Sequence, residues 1–300
     1  MRVISVLPSA TEIVCALGHG PELVGRSSEC DYPPEIRGLP AVMRPRVWDS
    51  DKPSREIDER VSASRSRQES LYELDIPLLR SLWPDLLLTQ DLCGVCSVTE
   101  AEVASACKTA GVEPTIVSLV PTKLSEVWDT VVTVGRALDD HTSGRALADN
   151  LRERSRPRPS SGLRVAVVEW LDPPILAGLW TPDIVRAAGG VPIGPGSSEP
   201  GRRTSWSSIA AAQPDLVILS PCSFNVERSL RELANPEIAS GVESLASSRG
   251  IFIADEAYFS RPGPRLASGV ELVRDLLDGN GPVAPMPVEM WKPPTEKLRA

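Results

Sequence analysis

Trp83-Pro84-Asp85-Leu86-Leu87-Leu88-Thr89-Gln90-Asp91-Leu92-Cys93 is echoed by Gln213-Pro214-Asp215-Leu216-Val217-Ile218-Leu219-Ser220-Pro221-Cys222. Each stretch is an acidic turn, a run of apolar residues and a polar loop ending in cysteine. A short continuous apolar run between turn signals reads as a strand buried on both faces, the kind found in parallel sheets covered by helices. Its recurrence at roughly half the chain length predicts an α/β fold of two similar lobes with parallel sheets.

Working outward, Arg2–Leu7 is a short β-branched strand. It is followed by Pro8-Ser9-Ala10-Thr11-Glu12, where Ser9 and Glu12 have the spacing of a helix capping box. That helix runs to Leu17 and stops at Gly18-His19-Gly20. A second strand, Leu23–Arg26, leads into the polar loop Ser27–Pro34. The second half opens the same way, with a strand at Leu163–Glu169, the turn Trp170–Pro174, and a helix starting at Thr181-Pro182-Asp183 and ending at Ala188-Gly189-Gly190. Between the halves, Val127, Val131, Val134 and Leu138 share one helical face, so Ser125–Arg154 is expected to form one long connecting helix, with Gly144 and the Asp139-Asp140 pair as its candidate bend points, before the linker Ser155–Gly162. From Gly279 onward the density of proline predicts an irregular surface tail. The expected domains are 1–122, an N-terminal α/β lobe; 123–161, connecting helix and linker; 162–280, a C-terminal α/β lobe; and 281–300, a Pro-rich tail.

The chain has 300 residues, 41% hydrophobic and 24% charged, which is the composition of a folded globular protein. A formal net charge of −8, from 32 Lys+Arg against 40 Asp+Glu, argues against a nucleic-acid surface. No window approaches the roughly 18 uninterrupted apolar residues of a membrane span, so no direct membrane insertion is expected. Met1–Gly20 lacks the apolar core and cleavage site of a signal peptide, and the expectation is a cytoplasmic protein. Six cysteines stand against only two histidines, which directs attention to sulfur chemistry.

Several separate loops carry a family resemblance: PSATE at 8–12, ECDYPP at 29–34, SLYELD at 70–75, PDLLLTQDLC at 84–93, VEWLDPP at 168–174 and AYFSRPGPRL at 257–266. Together, over about residues 1 to 278, they resemble the cobalamin-binding branch of the class III substrate-binding proteins of ABC importers. The resemblance implies two α/β lobes joined by a rigid helix, a ligand cleft between them, and a corrinoid, haem or metal chelate handed to an ABC transporter partner.

In an open parallel sheet, loops at the carboxyl ends of the strands form the ligand crevice. Cys30 follows the second strand, Cys93 and Cys96 follow the 85–89 strand, and Cys222 follows its counterpart in the other lobe. Gly94 loosens the C-x-x-C turn, and Thr99 with Glu102 caps the next helix. Four such thiols suit an iron–sulfur cluster or zinc. A redox dithiol and inert buried thiols are the other readings of the same four. Cys15 and Cys107 lie within helices beside apolar neighbours and read as core. The histidines have no partner pattern.

Further cleft candidates are Ser9, Ala10 and Thr11, whose turn offers free backbone N–H groups to an anion. Glu169 and Trp170 occupy the matching turn, and Trp170 and Trp180 are candidate aromatic walls. Tyr258, Phe259, Ser260 and Arg261 form a loop suited to a carboxylate or phosphate. The leading expectation is a binding protein with a Cys-ligated metal centre (iron–sulfur cluster, then zinc) beside a small anionic or chelate ligand. Two alternatives stand beside it: a cobalamin-binding transporter component, and an iron–sulfur-dependent lyase or hydrolase. No Ser-His-Asp set, Walker loop or G-x-G-x-x-G points to another enzyme class.

Overall fold

The computed structural model describes residues 1–47, 49, 51–91, 98–281 and 286–292. In chain order its elements are β1 (Val3–Ser5), α1 (Pro8–Ala16), β2 (Leu23–Ser27), β3 (Ala41–Pro45), α2 (Ser54–Ser66), β4 (Tyr72–Leu74), α3 (Ile76–Leu82), β5 (Leu86–Thr89), α4 (Glu100–Ala110), β6 (Thr115–Ser118), α5 (Leu124–Ala137) and α6 (His141–Arg154). They continue as β7 (Arg164–Leu171), β8 (Pro174–Leu176), α7 (Thr181–Ala187), β9 (Val191–Ile193), β10 (Arg202–Arg203), α8 (Trp206–Ala211), β11 (Leu216–Leu219), α9 (Val226–Glu232), α10 (Pro236–Glu243), β12 (Ile251–Ala254), α11 (Leu266–Asp278) and β13 (Val288–Met290). Two compact units result. One comprises Met1–Lys52, Glu56–Pro121 and Ser125–Leu151; the other comprises Pro53–Arg55, Thr122–Leu124 and Arg152–Ala300.

The first unit holds a sheet of order β4-β3-β2-β1-β5-β6, parallel except for the antiparallel edge β4. The second holds the order β10-β8-β7-β11-β12-β13, with β9 added to β7. Its β9, β7, β11 and β12 run parallel, and β8, β10 and β13 run antiparallel. The repeated Pro-Asp motif explains how each sheet is pinned. The Asp85 N–H donates to the Arg2 carbonyl at 2.8 Å, and the Asp85 carboxylate accepts from the Arg2 N–H at 2.7 Å. The Asp215 N–H and carboxylate do the same with Arg164, at 2.8 and 2.8 Å. Each aspartate thus fixes the register of its apolar strand, β5 or β11, against the strand beside it, β1 or β7. The residue before each proline, Trp83 or Gln213, takes the left-handed conformation that turns the chain into the motif, at φ 43 and 48.

β5 and β11 are buried along their whole length. Ile4 and Leu87 pack with Val103, Ala106 and Cys107 of α4 in the first core. Val217 and Leu219 pack with Ile209, Ile238 and Val242 in the second. Burying such a side chain contributes ~1.5–3 kcal/mol, so these two strands are the natural centres of their units.

The fold departs from sequence expectation in four places. Segment 125–154 is not one helix. It breaks at Leu138–Asp140, where Asp139 is left-handed at φ 58 and the Asp140 carboxylate caps α6 through the Ser143 N–H at 3.1 Å. The two helices then close on each other through glycine: a Cβ on Gly135 would lie 2.7 Å from the Gly144 Cα. α1 starts at Pro8 with Leu7 as an uncapped N-cap, so Ser9 does not form a capping box. Proline at the first helical position supplies the helical φ one residue earlier than the Ser/Glu spacing indicates. β7 runs on through Glu169 and Trp170 to Leu171, because Trp170 and Leu171 pair with Ile175 and Pro174 of β8 in a hairpin whose register shifts at Glu169. Lastly, the tail returns as β13 along β12, and Trp291 packs on the second core. The α4 capping box of Thr99 and Glu102 forms as the spacing predicts.

Candidate functional site

In the first unit β1 is flanked by β2 on one side and β5 on the other. The loops leaving these strands therefore rise at the point where strand order reverses, the usual position of a ligand crevice. Ser9, Ala10 and Thr11 follow Pro8 in the first turn of α1, all buried. The Thr11 hydroxyl is engaged inward, 2.9 Å from Ser5 Oγ, 3.2 Å from the Leu7 carbonyl and 3.1 Å from Cys30 Sγ. The Thr11 hydroxyl accordingly braces the turn, and its N–H, expected to be free for a ligand, is given to the Leu7 carbonyl at 3.0 Å. Ser9 is different: at 1% exposure its Oγ has no hydrogen-bond partner among the described residues. A buried polar group left this way costs about 1–3 kcal/mol.

Cys30 is buried at 1% exposure. The 27–30 turn holds it through the Cys30 N–H to Ser27 carbonyl bond at 3.1 Å, and its thiol lies between Thr11 and the Ser5 carbonyl. Nearby in the same loop, the Tyr72 hydroxyl donates to Glu29 Oε2 at 3.2 Å. Cys93 and Cys96, the centre of the expected metal site, lie outside the described residues. Among the described residues no three His, Cys, Asp or Glu side chains gather as a metal-ligand set. Cys107 is buried and Cys15 is half-buried. Burial pushes both thiols up, Cys15 to about 11 with Glu12 and Glu35 adding to the effect. Both stay protonated at neutral pH, consistent with their reading as packing residues.

In the second unit, Glu169 and Trp170 sit on β7 rather than in a loop. The Trp170 ring meets Phe224 at a centroid distance of 5.4 Å, and Arg228 stacks on the other ring at 4.2 Å. Trp170 Nε1 has no hydrogen-bond partner among the described residues. Trp180 is not a wall: at 5% exposure it is interior, its indole N–H donating to the Phe259 carbonyl at 2.6 Å. Phe259 and Tyr258 are likewise buried, because the loop after β12 folds under itself and uses its aromatics as packing. Arg261 is committed to Glu256, with its Nε 2.6 Å from Oε1. The other Glu256 oxygen accepts from the Ser223 N–H at 2.9 Å. Ser260 is tied through its backbone to the Glu256 carbonyl at 2.7 Å.

Glu256 therefore joins the Cys222 loop to the Tyr258–Arg261 loop, and the Cys222 N–H is also held, by the Glu169 carbonyl at 3.0 Å. Burial pushes the neighbouring Asp255 carboxyl up. Phe224, Arg228 and Glu256 escaped the sequence reading. Only the proximity of Glu256 to the Tyr258–Arg261 run could have signalled one of them.

No family model matches the chain, and no curated protein matches it in sequence. Solved structures do. A periplasmic heme-binding protein from Pseudomonas aeruginosa superposes with a TM-score of 0.67 at 18% identity, covering 97% of this chain and 98% of that one. A periplasmic vitamin B12-binding protein of Vibrio cholerae gives 0.63 at 21%, covering 92% and 96%. A periplasmic heme-binding protein from Roseiflexus gives 0.61 at 23%, covering 93% and 98%. At such identities the likeness speaks to architecture, and it spans nearly the whole of every chain compared: this protein has the two-unit α/β fold, with mainly parallel sheets, of the class III substrate-binding proteins.

Proposed function

We propose that this chain is a binding protein for a metal-bearing macrocycle, a corrinoid or haem, and that it serves an ABC importer. The observation that supports this best is the fold correspondence, over more than nine-tenths of both chains, with proteins described as binding heme and vitamin B12. The local geometry agrees. In the second unit the part-exposed Trp170 ring is tilted against buried Phe224, which Arg228 backs from its own side, and Trp170 offers an aromatic surface suited to a flat ligand face. The α1 turn of the first unit carries unmatched polar donors. Equilibrium dialysis of the purified chain against cyanocobalamin and haemin tests the reading. Saturable retention of either supports it, and retention of neither removes it.

A second reading keeps the thiols as a metal centre, with Cys30, Cys93, Cys96 and Cys222 holding an iron–sulfur cluster or zinc. It is favoured by the Cys30 thiol being held just beyond β2 by Thr11. A cytoplasmic location, whose reducing conditions keep thiols available, belongs to this reading. Iron, sulfide and zinc analysis after anaerobic purification decides it: metal at one site per chain, lost in Cys30→Ser, upholds the centre, and metal-free protein removes it.

A further inference from the structure

We infer that the N-terminus of α1 is an oxyanion-binding site of the first unit, taking a carboxylate or phosphate group of the ligand. The inference rests on the macrocycle reading for the molecule that carries the oxyanion, and on the α1 turn alone for the site. α1 has nine residues, no side-chain cap on Leu7 and no acidic residue in its first turn. Pro8 carries no N–H, and the Thr11 N–H is already given to the Leu7 carbonyl at 3.0 Å. The donors left at this helix end are the N–H groups of Ser9 and Ala10. A helix start concentrates partial positive charge there and favours anions.

The second observation is Ser9 itself. Its hydroxyl is buried without a hydrogen-bond partner among the described residues, and in a helix the Cα–Cβ bond tilts toward the N-terminus, the direction of the two N–H groups. The nearby groups that could have satisfied it are engaged elsewhere. Ser5 Oγ donates to the Leu7 carbonyl at 3.0 Å, and the Thr11 hydroxyl is occupied by Ser5, Leu7 and Cys30. Two N–H groups and one O–H at a positive helix end match the two-oxygen face of a carboxylate or phosphate in both number and charge. Glu12, buried one turn further along, has interactions of its own.

The test is a titration of 15N-labelled protein with inorganic phosphate and, separately, with acetate, following the Ser9 and Ala10 amide signals, with chloride at matched ionic strength as control. The site predicts saturable shifts of both amides with phosphate or acetate and none with chloride. Ser9→Ala should weaken binding about tenfold, and Ser9→Asp, which places a carboxylate at the helix end, should abolish the response. A preference for phosphate points to a phosphate-bearing ligand, and a preference for acetate to one with carboxylate arms. Silent Ser9 and Ala10 amides in folded protein, or equal affinities for wild type and Ser9→Ala, overturn the site. Macrocycle uptake with silent amides would overturn it while leaving the proposed function in place; saturable shifts in a chain that takes up no macrocycle would do the reverse.

Discussion

Asp85 and Asp215 do the same work in their separate units, each tying the backbone of a neighbouring strand through both its N–H and its carboxylate. Replacing either with alanine should cost about 1–2 kcal/mol, read as a lowered urea midpoint. Glu256 carries more, because its pair with Arg261 is nearly buried, with side chains 8% and 13% exposed, and its other oxygen holds Ser223. Glu256→Met should destabilise by ~3 kcal/mol or more. Glu256→Met with Arg261→Met should recover most of that loss, leaving about 1 kcal/mol for the released Ser223 N–H; chemical denaturation of the three proteins checks it. His19 is held by Glu22 at 2.8 Å and Asp140 at 3.3 Å. Its pKa is raised above the ordinary 6.5, chiefly by the Glu22 hydrogen bond. A raised folded-state pKa stabilises fully below the unfolded value and loses that contribution as pH rises through the folded one. Wild type should therefore lose stability relative to His19→Gln as pH is raised from 6 to 8.5, and parallel curves would contradict the pairing.

At the scale of elements, what the sequence revealed was local and what it concealed was not. The β5 and β11 strands, the α4 capping box and the Pro-Asp turns are written in contiguous residues, and each was legible. The bend between α5 and α6 was legible in the Asp139-Asp140 pair and Gly144, but the full break was not, because apolar spacing continues up to Leu138 while the turn depends on Asp139 backbone geometry and on a glycine contact made only after folding. Gly135→Val should consequently lower stability by ~1–3 kcal/mol, whereas Gly38→Ala, with open space around it, should leave the thermal midpoint unchanged. The candidate site was legible in position more than in role. Strand-end loops are where the sequence directs the search, but an aromatic in such a loop is compatible with either a wall or a core. Trp180 and Phe259 turned inward because a hydrogen bond between distant segments, invisible in sequence, joins them.

For the whole molecule, the second sheet ends on β13, a strand drawn from the tail and covering the β12 edge with Met290, Glu289 and Val288 opposite Phe252, Ile253 and Ala254. Truncation after Gly281 uncovers a buried apolar edge, a template for intermolecular pairing. The shortened chain should unfold at lower temperature and show concentration-dependent association by light scattering. The architecture otherwise places its unusual chemistry at strand carboxyl ends: an uncapped helix turn and a held thiol in one unit, a part-exposed Trp170 backed by buried Phe224 and Arg228 in the other. These features, with the fold correspondence, make macrocycle binding the central claim, and a visible-absorption titration of the purified chain with haemin and with hydroxocobalamin tests it most directly. The account predicts a shifted absorption band that saturates at one macrocycle per chain and weakens in Trp170→Ala; absorbance that rises linearly without saturation for both compounds would contradict it.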